Sequence, residues 1–212
     1  MFFDRFRDAL SRLPDGLIRP APPATDAELA AAAAALGRGL PEAYASFLRS
    51  FDGADLFHEA IVLAGVGSAA PRALVELAAP GDEGAAPRAG DLVFAEAVAG
   101  DRFALDDGGR VWRLRAGSDE RALAGSTFER WLDATVARER LLYGPDGEFL
   151  DEVFDDDGEE LRPVIALRQA ERALKVDGDA AEAHHERGVA LHRLGRADEA
   201  TAALERAAAL DA

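Results

Sequence analysis

The chain has 212 residues, 49% of them hydrophobic and 30% charged, with no cysteine and a formal net charge of −16. That length predicts one or two domains with enough apolar surface for a core. The composition excludes disulfides, thiolate zinc sites and thiol nucleophiles, it offers no run of about 18 apolar residues for a membrane span, and its acidity argues against direct nucleic-acid binding.

Phe2, Phe3, Phe6, Leu10 and Leu13 form a first helical stripe, ended by Pro14-Asp15-Gly16. Charges interleave its apolar positions, so it reads as an amphipathic helix and not a secretory signal. A cytoplasmic protein is expected. After a connector from Pro20 to Pro23, Thr25-Asp26-Ala27-Glu28 has the form of a capping box. The alanine-rich helix it opens runs to Leu36 and stops at Gly37. A further helix is predicted between Leu40-Pro41 and Asp52-Gly53. In it Tyr44, Phe47, Leu48 and Phe51 fall at i, i+3, i+4, i+7 and point one way.

The period then changes. Ile61-Val62-Leu63 reads as a short strand, residues 71–78 as a short helix, and residues 80–90 as an exposed loop. Leu92 to Val98, Arg102 to Leu105 and Arg110 to Leu114 are three strand candidates. They are joined by the turns Ala99-Gly100-Asp101 and Asp106-Asp107-Gly108-Gly109. Phe103 and Leu105 share a face, as do Trp112 and Leu114. Ser126-Thr127-Phe128-Glu129 reads as a second capping box, opening a helix that carries Phe128, Trp131, Leu132 and Leu142. This order predicts an α+β domain over 1–142, an antiparallel sheet with helices packed on it.

Residues 143–162 carry −8 of the net charge, against −6 over 1–142 and −2 over 163–212. They read as an acidic connector, with Phe149-Leu150, Val153-Phe154 and Leu161 as apolar anchors. Asp155, Asp156 and Asp157 precede Gly158, but Val153 stands where a calcium loop needs its first ligand. Residues 163–212 then read as helices: Pro163 to Val176, Ala181 to Leu194, and Asp198 to Leu210.

Two resemblances follow. Gly188, Leu191, Leu194, Gly195, Ala200, Leu204, Ala207 and Leu210-Asp211 match, in order, a tetratricopeptide (TPR) repeat, whose crossing helices need small residues. His184 and Arg187 depart from that pattern. Ala166-Leu167, Ala170, Ala173-Leu174 and Val176-Asp177 resemble the second helix of a preceding repeat. The C-terminal part thus resembles a TPR-like hairpin of about one and a half repeats, fewer than a free-standing solenoid needs. It must dock on the preceding domain, pair with a second copy as a homodimer, or stay partly loose. Over 1–142, Leu36-Gly37, Leu40-Pro41, Tyr44, Phe47-Leu48, Asp52-Gly53, Gly100-Asp101-Arg102-Phe103-Ala104-Leu105, Val111 and Phe128 to Leu132 together resemble the SUKH superfamily. The resemblance implies a non-enzymatic α+β domain. Many members protect a bacterium by binding a toxin, often a nuclease, and others are general interaction modules.

The sequence offers no competing chemistry. His58-Glu59 lacks a third partner for a triad. His185 and His192 are two turns apart, too far to chelate one metal. Gly65-Val66-Gly67-Ser68 does not complete a phosphate loop. No catalytic residue, metal site or cofactor is expected, and the chain reads as a binding protein for a toxin or peptide. A basic partner would meet the acidic run, including Asp155, Asp156 and Asp157, through electrostatic steering. The alternative is an adaptor that presents Glu182, His185, Val189 and His192 from the inner face of the repeat. Because Phe47 is assigned to the core, Phe47→Asp should bury an unpaired charge and unfold the first domain, read as loss of its cooperative urea transition.

Overall fold

The structure, a computed structural model, describes residues 2–78, 86–155 and 160–211. Asp156 and Asp157, and the first part of the loop expected over 80–90, lie outside the described residues. The chain forms two compact units, 1–121 and 122–212.

The first unit contains helices α1 (Phe2–Leu10), α2 (Asp26–Leu36), α3 (Glu42–Leu48) and α4 (Leu74–Leu77). Its strands are β1 (Ile18–Pro20), β2 (Ala54–Leu56), β3 (Ile61–Leu63), β4 (Leu92–Ala97), β5 (Arg102–Leu105) and β6 (Val111–Leu114). Each strand pairs antiparallel with the next, in an open meander with helices packed alongside. The three strands expected from 92 to 114 form, with Val98 and Arg110 falling just outside them. Gly100 (φ 85°) and Gly109 (φ 79°) supply the left-handed turn conformations that join them.

Helix α2 starts at the expected capping box. The Thr25 side chain accepts the Glu28 N–H, and the Glu28 carboxylate accepts the Thr25 N–H at 2.8 Å. The central helix is shorter than its apolar stripe. Pro41 is the N-cap, and α3 ends before Phe51. The stripe is still the core, with Tyr44, Phe47, Leu48 and Phe51 all buried. Phe3 of α1 lies against Phe47 (ring centroids 5.8 Å) and Tyr44 against Phe94 of β4 (5.2 Å), so the aromatic side chains run from α1 through α3 to the sheet. The Tyr44 hydroxyl donates its proton to the Ala64 carbonyl, and the Phe94 carbonyl, which accepts the Ala64 N–H at 2.8 Å, lies 3.2 Å from the same hydroxyl.

Asp52 is buried for a different reason from its neighbours. Its carboxylate accepts the N–H groups of Val66 and Gly67, both at 2.7 Å, which folds the Gly65–Gly67 segment back over the end of α3. A Cβ on Gly67 would stand 2.7 Å from that carboxylate. The Gly65-Val66-Gly67-Ser68 segment is therefore filled by the chain's own acid.

Strands β1 and β2 were not visible in the sequence pattern. They are three residues each, and Arg19 sits opposite Asp55 in register, forming an ion pair. Asp55 also accepts the Glu59 N–H at 2.5 Å, bracing a turn in which Phe57, His58 and Glu59 all have positive φ.

The second unit starts at Ala122, one residue into strand β7 (Arg121–Gly125), and continues through α5 (Phe128–Glu139), α6 (Pro163–Val176), α7 (Ala181–Arg193) and α8 (Ala197–Asp211). Each helix packs on the next, giving a helical bundle. Its contacts are made by small residues. Ala134, Ala173, Ala180 and Ala183 form one buried cluster, and Leu167, Ala190, Leu191, Ala200 and Ala203 another. At the α7–α8 crossing, a Cβ on Gly188 would stand 2.7 Å from Leu204 Cγ.

The capping box read at Ser126 is displaced by one residue. Thr127 is the N-cap and accepts the Arg130 N–H. Ser126 serves Asp177 instead, which is fully buried at the end of α6: its carboxylate accepts the Ser126 N–H at 2.6 Å and hydroxyl at 2.9 Å. Asp211 of α8 accepts the Leu123 N–H at 2.8 Å. The last three helices are thus tied at two points to the segment that leads into α5.

Burial and the nearby charge of Asp52 hold the Tyr44 phenol well above its ordinary pKa. Tyr44→Phe should lower stability at neutral pH by about 1–3 kcal/mol, since it removes the hydroxyl's donor from the buried Ala64 carbonyl. The raised pKa lets the native state keep a proton that the unfolded chain loses, so stability falls as pH rises past about 10. Urea titrations at neutral and alkaline pH should show that fall reduced in the variant.

Candidate functional site

Helix α7 begins after Asp177-Gly178-Asp179 and buries Ala183, Ala190 and Leu191 along its inner side. The opposite side presents His185, Val189 and His192, all exposed, with Val189 at 43%. These three of the four residues expected on one face do share it, at i, i+4, i+7. Glu182 does not join them. It is buried near Arg138 of α5.

Arg138 explains that burial. It pairs with Glu186 at 2.8 Å and with Glu139 at 3.3 Å. Burial opposes its charge, but Glu186, Glu139 and Glu182 outweigh that, and its pKa is held above the usual arginine range. The Arg138 carbonyl accepts from Gln169 of α6 at 3.3 Å. Sequence spacing assigns Glu182 to the α7 face, whereas a cation on a distant helix draws it inward.

Residues 143–155 form a compact acidic hairpin. Tyr143 and Phe149 pair across a turn in which Gly144 N–H donates to the Glu148 carbonyl at 2.8 Å. Asp146 accepts the Glu148 N–H, and Gly147 takes φ 85°. Val153 is buried and anchors the segment. Phe149 is 43% exposed and stands between Tyr143 and Phe154, each 5.4 Å away. Asp146, Glu148, Asp151 and Glu152 are exposed around it, and Asp155 is half-buried. The Tyr143 phenol is raised above its ordinary pKa by burial and by Glu139. A half-exposed aromatic in a segment of exposed carboxylates is a surface feature that the sequence reading counted only as an anchor.

Nothing in the geometry points to a reaction. His58 lies in the braced β2–β3 turn, and His184 Nε2 lies 3.0 Å from the Gly178 carbonyl. Among the described residues no group of three or more His, Asp or Glu side chains could hold a metal ion, and no helix is long and apolar enough to cross a membrane.

The first unit is thus an open antiparallel meander with aromatic-bearing helices packed alongside it. Residues 23–134 match the SMI1 / KNR4 family (SUKH-1), and the chain belongs to that family. Its members are generally non-catalytic, typically mediate protein–protein interactions, and are often linked to toxin–immunity systems. No curated protein and no solved structure gives a significant match to the chain.

Arg138→Met should destabilise the second unit by about 2–4 kcal/mol, because it strands the carboxylates that face it. The surface triple substitution His185→Ala, Val189→Ala, His192→Ala should stay within about 1 kcal/mol of the parent. Paired urea melts followed by helical circular dichroism check both.

Proposed function

We propose that this chain is an immunity-type protein that binds a bacterial toxin in the cytoplasm and neutralises it without catalysis. Family membership over 23–134 is the observation that carries the reading. The exposed Phe149 with its surrounding carboxylates supports it, as does the concentration of −8 within 143–162. An aromatic anchor encircled by polar groups is a common form for a binding hot spot. The acidic surround suits a basic toxin face, such as one a nuclease uses for phosphate.

A second reading is favoured by one specific observation, the exposed stripe His185, Val189, His192 on α7. Gly188 at the helix crossing and the alanines of α8 fit a TPR-like hairpin, and such hairpins bind peptides on that side. In this reading the protein is an adaptor.

Removing α6–α8 would not separate the readings, because Asp177, Ala173 and Ala183 pack on or hydrogen-bond to the α5 segment. Surface substitutions do. The partner captured from the source cell and identified by mass spectrometry should bind about tenfold more weakly when salt is raised from low to high. Phe149→Ala with Glu152→Gln should weaken it further, and the α7 triple substitution should not. The reverse pattern of losses supports the adaptor. A captured partner that shows no toxicity when expressed without this protein would overturn the immunity reading.

A further inference from the structure

The first unit contains a concentration of positive charge that the acidic chain as a whole does not suggest. Its floor is Trp112 of β6, 5% exposed, with its indole N–H donating to Asp106 at 3.0 Å. Three guanidiniums gather on that ring. The Arg121 carbon lies 4.1 Å from the ring centroid, that of Arg110 5.2 Å and that of Arg88 5.9 Å. Each distance is within cation–π range.

Two of the three are compensated. Arg110 pairs with Asp106 at 2.8 Å, and Arg121 with Asp91 at 3.1 Å. Asp91 itself is committed twice, since it also accepts the Arg88 backbone N–H at 2.8 Å. Among the described residues the Arg88 guanidinium meets no carboxylate, and the buried Arg121 Nε has no hydrogen-bond partner. Burial, with the Arg88 charge beside it, pulls the Arg121 pKa below its usual value despite Asp91.

A buried donor without an acceptor costs free energy. Like charges gathered on one ring add to that cost. An oxyanion seated at the exposed Arg88, beside Arg110 and Arg121, would supply the counter-charge that none of the described carboxylates gives Arg88. Guanidiniums match the planar, two-oxygen edge of such a group.

We propose that Arg88, Arg110 and Arg121, arrayed on Trp112, form a binding site for an oxyanion of the phosphate or carboxylate type. The site is independent of the toxin-binding reading, since its charge is opposite to that of the Phe149 surface. Asp106, Asp91 and the ring hold the arginines in place, and the exposed Arg88 acts as the adjustable arm.

Nitrogen-15 NMR of the full chain tests this. The Trp112 indole N–H and Arg121 Nε–H resonances are followed while inorganic phosphate, or separately acetate, is added. Sodium chloride at matched ionic strength is the control, and the Trp131 indole N–H is the internal reference. Saturable movement of the Trp112 and Arg121 signals is expected with at least one of the two anions. A response to phosphate alone assigns the site to phosphate groups, and one to both anions assigns it to oxyanions in general. Arg88→Gln should weaken the response at least about fivefold, and Arg88→Lys, which keeps charge but loses the fork, should fall between. Signals that move only as they do in sodium chloride, or a midpoint unchanged in Arg88→Gln, would overturn the proposal.

Discussion

A phenol with no exposed surface must find an acceptor inside the protein, and Tyr44 finds it in the Ala64 carbonyl at the end of β3, beside the Phe94 carbonyl of β4. That constraint fixes how α3 lies on the sheet. Once Tyr44 is pinned, Phe47 and Phe51 turn toward α1, and Asp52 falls where it can capture the N–H groups of Val66 and Gly67. Three consequences of one helix orientation thus account for the aromatic core, the position of α1 and the closed Gly65–Gly67 segment. The hydrophobic contacts are larger in area but non-directional, so they would tolerate a rotated helix. The hydroxyl would not.

Much of this was legible before the structure. The stripe Tyr44, Phe47, Leu48, Phe51 marked the core, and paired turn residues marked β4, β5 and β6, because both signals are local. The short strands β1 and β2 were not legible, since three residues carry no periodicity and β1 pairs with a partner more than thirty residues away in sequence. Ser126 was read as a cap because the four-residue pattern fits. Asp177, fifty-one residues later, gives it a different partner. The candidate site divides the same way. Helical spacing was enough to group His185, Val189 and His192, but Glu182 is drawn inward by Arg138 on another helix. The cationic cluster on Trp112 joins residues from three separate stretches, so no single stretch announces it.

The charge distribution has a functional logic of its own. A net charge of −16 sets the long-range field of the chain. Within that field, carboxylates are exposed around Phe149, while the guanidiniums are partly sheltered on an indole. Exposed charge acts on encounter rate and is weakened by salt, whereas sheltered charge acts on close-range selectivity. The two proposed surfaces are therefore suited to opposite chemistries and different ranges.

The ties from Asp177 to Ser126 and from Asp211 to Leu123 also bear on synthesis. A ribosome releases α5 long before α6–α8, and domains generally fold as their residues emerge. Until α6 and α7 appear Ala134 of α5 has no cover, and until the final turn of α8 appears Leu123 lacks its acceptor. The family-defining segment ends at residue 134, yet its last helix waits for some eighty further residues to be made. Translation speed through 163–212 then sets how long a nascent chain stays open to chaperones, proteases or an early partner.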